Sequence, residues 1–288
     1  MGEGSPASSG ERLSTSRIAT ALLGWPALAL FLFRAPHVAF ALLVLLACVL
    51  ALREFHELCG PRAGGRRTLA LILALAVCLA SVLGRPDVLL AALVVACLAL
   101  ATAAAVGGGE LKETSRWVGV AVAGILYVAL PLSLLVLMRR EPGGTPLVAM
   151  LVLANWARDV GAFLTGRVVR GRPLRADLNP GKHLAGAVGG LLLAALAIAG
   201  LHQVFESPLG RWELATLALA VGLFGQAGDL FESLLKRAAG VRHSGRLLGD
   251  QGGVLDSIDG LLFAAPAAYV GLHAARLASQ STGVVLGG

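Results

Sequence analysis

Apolar positions in this chain come in long unbroken blocks. They show neither the alternation of a half-buried strand nor the single stripe of a soluble amphipathic helix. The blocks fall at about 18–33, 35–52, 68–83, 87–106, 117–138, 146–166, 184–205, 212–229 and 254–276. Most approach or exceed the roughly 20 apolar residues that span hydrocarbon about 30 Å thick. Leu and Ala dominate them, β-branched runs are few, and no period of two appears. The pattern therefore predicts helices rather than a membrane β-barrel. The expected fold is an all-α polytopic integral membrane protein with about nine transmembrane helices. The first block contains Pro26, and the sixth carries Arg158 and Asp159.

Composition agrees with this picture. Of 288 residues, 57% are hydrophobic and only 14% charged, too little charge to cover a soluble protein of this length. The formal net charge is +7. With nine spans and the N-terminus inside, 17 Lys and Arg fall in inside segments and 6 in outside segments, with Arg158 in the membrane. That asymmetry predicts an N-in/C-out topology, and it reads the basic excess as topological rather than as binding nucleic acid. The predicted organisation is a flexible cytoplasmic tail over 1–17, N-terminal transmembrane helices over 18–140, a C-terminal catalytic membrane region over 141–278, and a short tail over 279–288. Loops 167–183 and 230–253, the two richest in polar chemistry, then share the cytoplasmic face. Cys48, Cys59, Cys78 and Cys97 form no CxxC pair and read as small buried hydrophobes. The Gly186 to Gly190 stretch has the small-residue spacing of close helix packing.

Within Gly228–Arg237, the residues Asp229, Glu232, Ser233, Lys236 and Arg237 share one face of a helix. Two carboxylates followed by two cations suit a nucleotide triphosphate: carboxylates for Mg²⁺, Lys and Arg for phosphates. The same spacing also suits a solvated helix face with internal ion pairs. Asp256 and Asp259 lie one turn apart at the entry of the last span, after Gly252 and Gly253. Carboxylates entering a membrane span are functional suspects, although they also cap a helix N-terminus. Asp159 sits inside the sixth span. Asn179-Pro180-Gly181-Lys182-His183 is a turn that presents Lys182, but it is not a Walker A loop, because Ala176 replaces the required Gly and no Ser or Thr follows Lys182.

The run SLLKRAAGVRHSGRLLGDQGGVLDSID, Ser233 to Asp259, resembles the signature of phosphatidate cytidylyltransferases, also called CDP-diacylglycerol synthases. Ser233, Lys236, Arg237, Gly249, Gly252, Gly253, Asp256 and Asp259 match it in spacing. Gly228–Glu232, Asp159–Phe163 and Asn179–Lys182 are family-like as well. Arg242, His243, Gln251, Ser257 and His183 depart from the pattern, which usually has Lys, Asp, His, Arg and Thr there. The resemblance implies a homodimeric enzyme of the cytoplasmic (inner) membrane, its active site facing the cytosol. It would use Mg²⁺, with a monovalent cation such as K⁺ alongside, to convert CTP and phosphatidate to CDP-diacylglycerol and pyrophosphate. It assigns metal to Asp229 and Asp256, with Asp259 supporting, and phosphate binding to Lys182, Lys236 and Arg237. Asp159, Asn179, Glu232 and Ser233 would shape the substrate pocket. On the residues alone three other readings stay open: a CTP-dependent lipid kinase, a transporter using the intramembrane acids, and an inactive paralogue.

Overall fold

The computed structural model describes residues 30–60, 64–169, 171–247, 249 and 252–282. Among them, eight helices are long and apolar enough to cross a membrane. They are α1 (His37–Cys59), α2 (Gly65–Leu83, its last turn 3₁₀), α3 (Pro86–Val106), α4 (Leu111–Arg140), α5 (Gly144–Val168), α6 (Leu184–Val204), α7 (Arg211–Ala238) and α8 (Val254–Thr282). They match the second to ninth predicted spans. The first predicted span lies mostly outside the described residues, which open with a short helical stretch at 30–34. The protein is an all-α polytopic membrane protein, as the length and apolar character of the blocks predict.

Two helices run further than hydropathy indicates. α4 begins at Leu111, six residues before the predicted span, and α7 continues through Ala238 rather than stopping at 229. Both extensions are polar. In α7 the extension carries the Glu232, Ser233 and Lys236 face, which hydropathy reads as the end of a span although the helix remains hydrogen-bonded throughout. Each of these helices also contains one wider π-helical turn, Ile125–Ala129 in α4 and Ala220–Phe224 in α7. Such turns displace the helix face locally and are frequent at functional sites.

α8 is the central element. It packs against α7, α4, α1 and α5 and continues through Pro266 without a break. α5 and α6 form the tightest antiparallel pair and are joined by a two-stranded hairpin, β1 (Pro173–Arg175) with β2 (Asn179–His183), in which Pro173 faces His183 and Arg175 faces Asn179. The predicted 167–183 loop is thus partly strand. The α5–α6 seam confirms the small-residue reading of Gly186–Gly190. A Cβ on Gly161 would stand 2.7 Å from the Gly189 carbonyl oxygen, and one on Gly186 2.8 Å from that of Ala162. Without a hydrophobic force between helices in lipid, such close backbone approach supplies the packing.

This seam yields a prediction. Gly161→Leu should destabilise the fold by about 1–3 kcal/mol, the usual cost of overpacking. Gly200→Ala, on α6 but with nothing near its added carbon, should stay within about 1 kcal/mol of the parent. Thermal unfolding in detergent micelles measures both; equal shifts would mean that the seam is not what holds α5 to α6.

Candidate active site

The polar face of α7 meets α8 near one end of the bundle. Asp229, Glu232 and Ser233 are buried along one side of α7 together with Gly225 and Gly228. Gly228 lets the helices touch, because a Cβ there would collide with the Asp259 carbonyl and stand 3.1 Å from the Gly260 Cα. The antiparallel crossing sets Asp229 against Asp259 and Glu232 against Asp256. The two acidic constellations seen in the sequence therefore form one site.

On the α5 side, the fully buried Arg158 donates Nη2 to Asp159 Oδ1 at 2.5 Å and to Asp229 Oδ1 at 2.9 Å. Its guanidinium is wedged against Gly225 and Gly260, where any side-chain carbon would displace it. Lys182, from β2, reaches Asp229 Oδ2 at 3.0 Å. Asp159, Asn179, Lys182, His183 and Asp229 line a cavity of about 350 Å³ between α5, the hairpin and α7, within the size range of small-molecule sites.

On the α8 side, Lys236 bridges Glu232 and Asp256, standing 2.6 Å from Asp256 Oδ1. Asp256 Oδ2 accepts from the Ser244 and Gly253 backbone N–H groups and from the Ser244 hydroxyl, each at 2.8 Å. Gly252 holds φ +90° there, and a Cβ on it would strike Asp256. Glu232 Oε1 is buried without a hydrogen-bond partner, and Asp259 accepts from the Gly260 N–H at 2.6 Å. Among the described residues, no three of His, Cys, Asp and Glu converge on a metal position.

The remaining predicted residues are less central. Arg237 turns to the hairpin, donating Nε to the Leu178 carbonyl at 3.1 Å. Asn179 closes its own turn by accepting from Gly181 N–H at 3.1 Å. Arg175 holds Asp177 in a two-bond pair at the exposed hairpin tip and draws its carboxyl down to about 2. Of the departures from the signature, His243 lies beside Gly252, and Ser257 donates to the Gly253 carbonyl at 3.1 Å. Gln251 lies outside the described residues.

Sequence reasoning missed Glu54. This α1 residue is 7% exposed and accepts from the Val254 N–H (3.0 Å), the Leu255 N–H (2.8 Å) and the Ser244 hydroxyl (3.1 Å). It caps α8 from another helix and neutralises two of the donors that a helix start leaves unpaired. Gly245 and Gly253 lie flat against its carboxylate. The available signal was an acid at the end of an apolar block, which reads as a loop residue until α1 is seen to run on to Cys59. Glu54→Leu should therefore cost about 1.5–3 kcal/mol for each charged hydrogen bond whose donor stays unpaired. It should also raise the amide exchange rate of Val254 and Leu255 well above that of mid-α8 amides. Unchanged protection at 254 and 255 would show that the cap is dispensable.

Comparisons with known proteins give the family. Residues 15–275 match the cytidylyltransferase family. The chain is 37% identical over 172 residues to a phosphatidate cytidylyltransferase of Brucella suis biovar 1 (strain 1330), covering 57% of this chain and 62% of that protein. It is 34% identical over 142 residues to one of Staphylococcus saprophyticus, covering 49% and 54%, and 36% identical over 120 residues to one of Staphylococcus aureus (strain COL), covering 42% and 45%. The matched stretch thus spans less than two thirds of these relatives' own length. With the match running from residue 15 to 275 and the signature residues gathered where α7 crosses α8, the chain belongs to the cytidylyltransferase family.

Proposed function

We propose that this protein transfers the cytidylyl group of CTP to phosphatidate, forming CDP-diacylglycerol and pyrophosphate. The observation that carries this reading is the joining of Asp229, Glu232, Asp256 and Asp259 with Lys182 and Lys236 at one end of the bundle, beside a cavity large enough for a small polar ligand. The three relatives bearing that name support it. In the N-in/C-out topology this end faces the cytosol, where CTP is found, and the basic loops lie on the same side.

In the reaction a phosphate oxygen of phosphatidate forms a bond to the α-phosphorus of CTP, and the bond from that phosphorus to the α–β bridging oxygen breaks. The attacking phosphate is already anionic near neutral pH, so no strong general base is required. Alignment and neutralisation of spreading negative charge remain for the protein to supply. Lys182 and Lys236, on flexible stems beside the carboxylates, neutralise the phosphates. Asp159 and Asn179 form the cavity wall that positions the nucleotide, and Arg158 fixes Asp229.

The donor set fits Mg²⁺. Every candidate ligand is a hard oxygen, Glu232 Oε1 is buried without a partner, and carboxylates outnumber nearby cations. Such an ion takes one or two carboxylates and completes its shell with water and substrate phosphates. Asp229 and Asp256 would hold it, and bound there it would offset charge on the phosphates. The surplus carboxylates suit a monovalent cation such as K⁺ nearby.

The test is turnover by purified protein in mixed micelles of phosphatidate with CTP and Mg²⁺, following pyrophosphate and CDP-diacylglycerol together. Both should form, both should stop on chelation, and Asp256→Asn should lower kcat by about 10²-fold or more with the helical circular dichroism retained. CDP and a doubly phosphorylated lipid in place of these products would instead identify a kinase, and no lipid product from folded protein would overturn the reading.

A further inference from the structure

The last turn of α4 ends in Arg139 and Arg140, at the end of the bundle opposite the polar site. α5 starts beside them and runs 25 residues toward the hairpin that carries Lys182, a separation of about 37 Å at 1.5 Å per residue. Here the starts of α1 and α5 and the end of α4 enclose a cavity of about 380 Å³, bordered by His37, Arg139, Arg140, Glu141 and Thr145. That volume lies within the range of small-molecule sites.

Arg139 is 3% exposed. Its Nη2 donates to the Ala35 carbonyl at 3.0 Å, and its guanidinium carbon stands 5.0 Å from the centre of the Phe40 ring. Its Nε and Nη1 are buried with no hydrogen-bond partner. Arg140 is exposed and donates Nη1 to the Val82 carbonyl. Among the described residues neither arginine is paired with a carboxylate. The acid of this cavity, Glu141, is held by α8 instead. Its Oε2 accepts from Arg276 at 2.6 Å, and its Oε1 stands 3.5 Å from His273 Nε2.

Cations in the last turn of a helix complement its dipole, and that accounts for Arg140. It does not account for Arg139, whose one bonded nitrogen serves a carbonyl outside α4 and whose other donors are unmet. A buried charge without partners is costly, so an anion that reaches it gains accordingly. The surroundings favour an anion too. α1 and α5 both start at this cavity, and neither has a side-chain cap. In the first turn of α5 the Gly144 N–H donates to the Glu141 carbonyl and Pro146 has no N–H. Among the described residues the Thr145 N–H has no backbone partner. A helix start with an unpaired N–H is suited to phosphate. Arg139 also borders a cleft of about 50 Å³ walled by Val38, Phe40, Val82 and Val136. The guanidinium therefore stands between hydrocarbon and the polar end of the bundle, the layer that phospholipid headgroups occupy.

We propose that this cavity binds a phosphate group, with Arg139 and the Thr145 N–H donating to its oxygens and Arg140 adding charge. The phosphate belongs to an anionic phospholipid headgroup or comes from solution, and the same donors suit both. The proposal stands apart from the reaction proposed above, since none of these residues belongs to the polar site.

Amide hydrogen exchange at Thr145 tests it, in the full-length protein in uncharged maltoside micelles. Inorganic phosphate is compared with sodium chloride of equal ionic strength, and phosphatidylglycerol with phosphatidylcholine. At saturation the bound phosphate should slow exchange at Thr145 about tenfold or more, the factor that a hydrogen bond to a charged acceptor supplies. Slowing by both probes assigns the phosphate group itself as the ligand. Slowing by phosphatidylglycerol alone assigns the lipid headgroup, and slowing by inorganic phosphate alone assigns the free anion. Arg139→Gln should abolish the effect. Arg140→Gln, at an exposed position, should raise the half-saturating concentration about fivefold, the worth of one basic residue near an anionic surface. It carries the test if Arg139→Gln does not fold. Exchange no slower in phosphate than in chloride and no slower in phosphatidylglycerol than in phosphatidylcholine overturns the proposal. So does slowing that the folded variants leave unchanged.

Discussion

The Glu54 carboxylate, accepting from two backbone N–H groups at the start of α8 and from the Ser244 hydroxyl, ties α1 to the segment that carries Asp256. Ser244 passes the connection on, since the same hydroxyl and its own N–H both donate to Asp256. Lys236 then links Asp256 to Glu232 on α7. A chain of charge-assisted contacts thus runs from the N-terminal half of the bundle to the polar face of α7. In a medium that offers no competing water, an uncompensated member of such a chain costs several kcal/mol, so Ser244 and the start of α8 are tied to Glu54 and Lys236 by polar contacts. The glycines at 245, 252 and 253 are the steric counterpart, because each lies where a side chain would push into Glu54 or Asp256.

Much of this was legible in the sequence, for physical reasons. Hydrocarbon thickness imposes block length on every span, and so the eight described helices fall where apolar blocks do. The helical spacing of Asp229, Glu232, Ser233, Lys236 and Arg237 placed them on one face; α7 buries the first three, whereas Arg237 turns to the hairpin. What escaped was anything set by contacts distant along the chain. Arg158 meets Asp229 across 71 residues, and Glu54 meets Leu255 across 201. Neither separation leaves a periodic trace. Arg158 reads in sequence as one half of a local pair with Asp159, and only the fold shows it bridging two helices. The cavity at Arg139 escaped for a related reason, since a concavity between three helices depends on their lateral order, which hydropathy does not encode.

The site has two classes of cation, and their difference follows from side-chain chemistry. Arg158 is fully buried, wedged between Gly225 and Gly260, and bonded to two carboxylates. A planar guanidinium in such a slot has nowhere to go, and removing one partner of a buried pair typically costs about 3–5 kcal/mol. Lys182 and Lys236 are partly exposed and end in compact ammonium groups on four-carbon stems. Each stands against a carboxylate, Lys182 against Asp229 and Lys236 against Asp256. In the proposed reaction, phosphates would compete with Asp229 and Asp256 for the two lysines, and those carboxylates would be the ones to hold a divalent cation. Asp159, Asp229, Glu232 and Asp256 each rest against a cation, which spares the membrane end of the bundle the cost of holding them unpaired. That constraint, stricter in a membrane than in water, accounts for a site in which buried acids and cations come together from four different elements, α5, β2, α7 and α8.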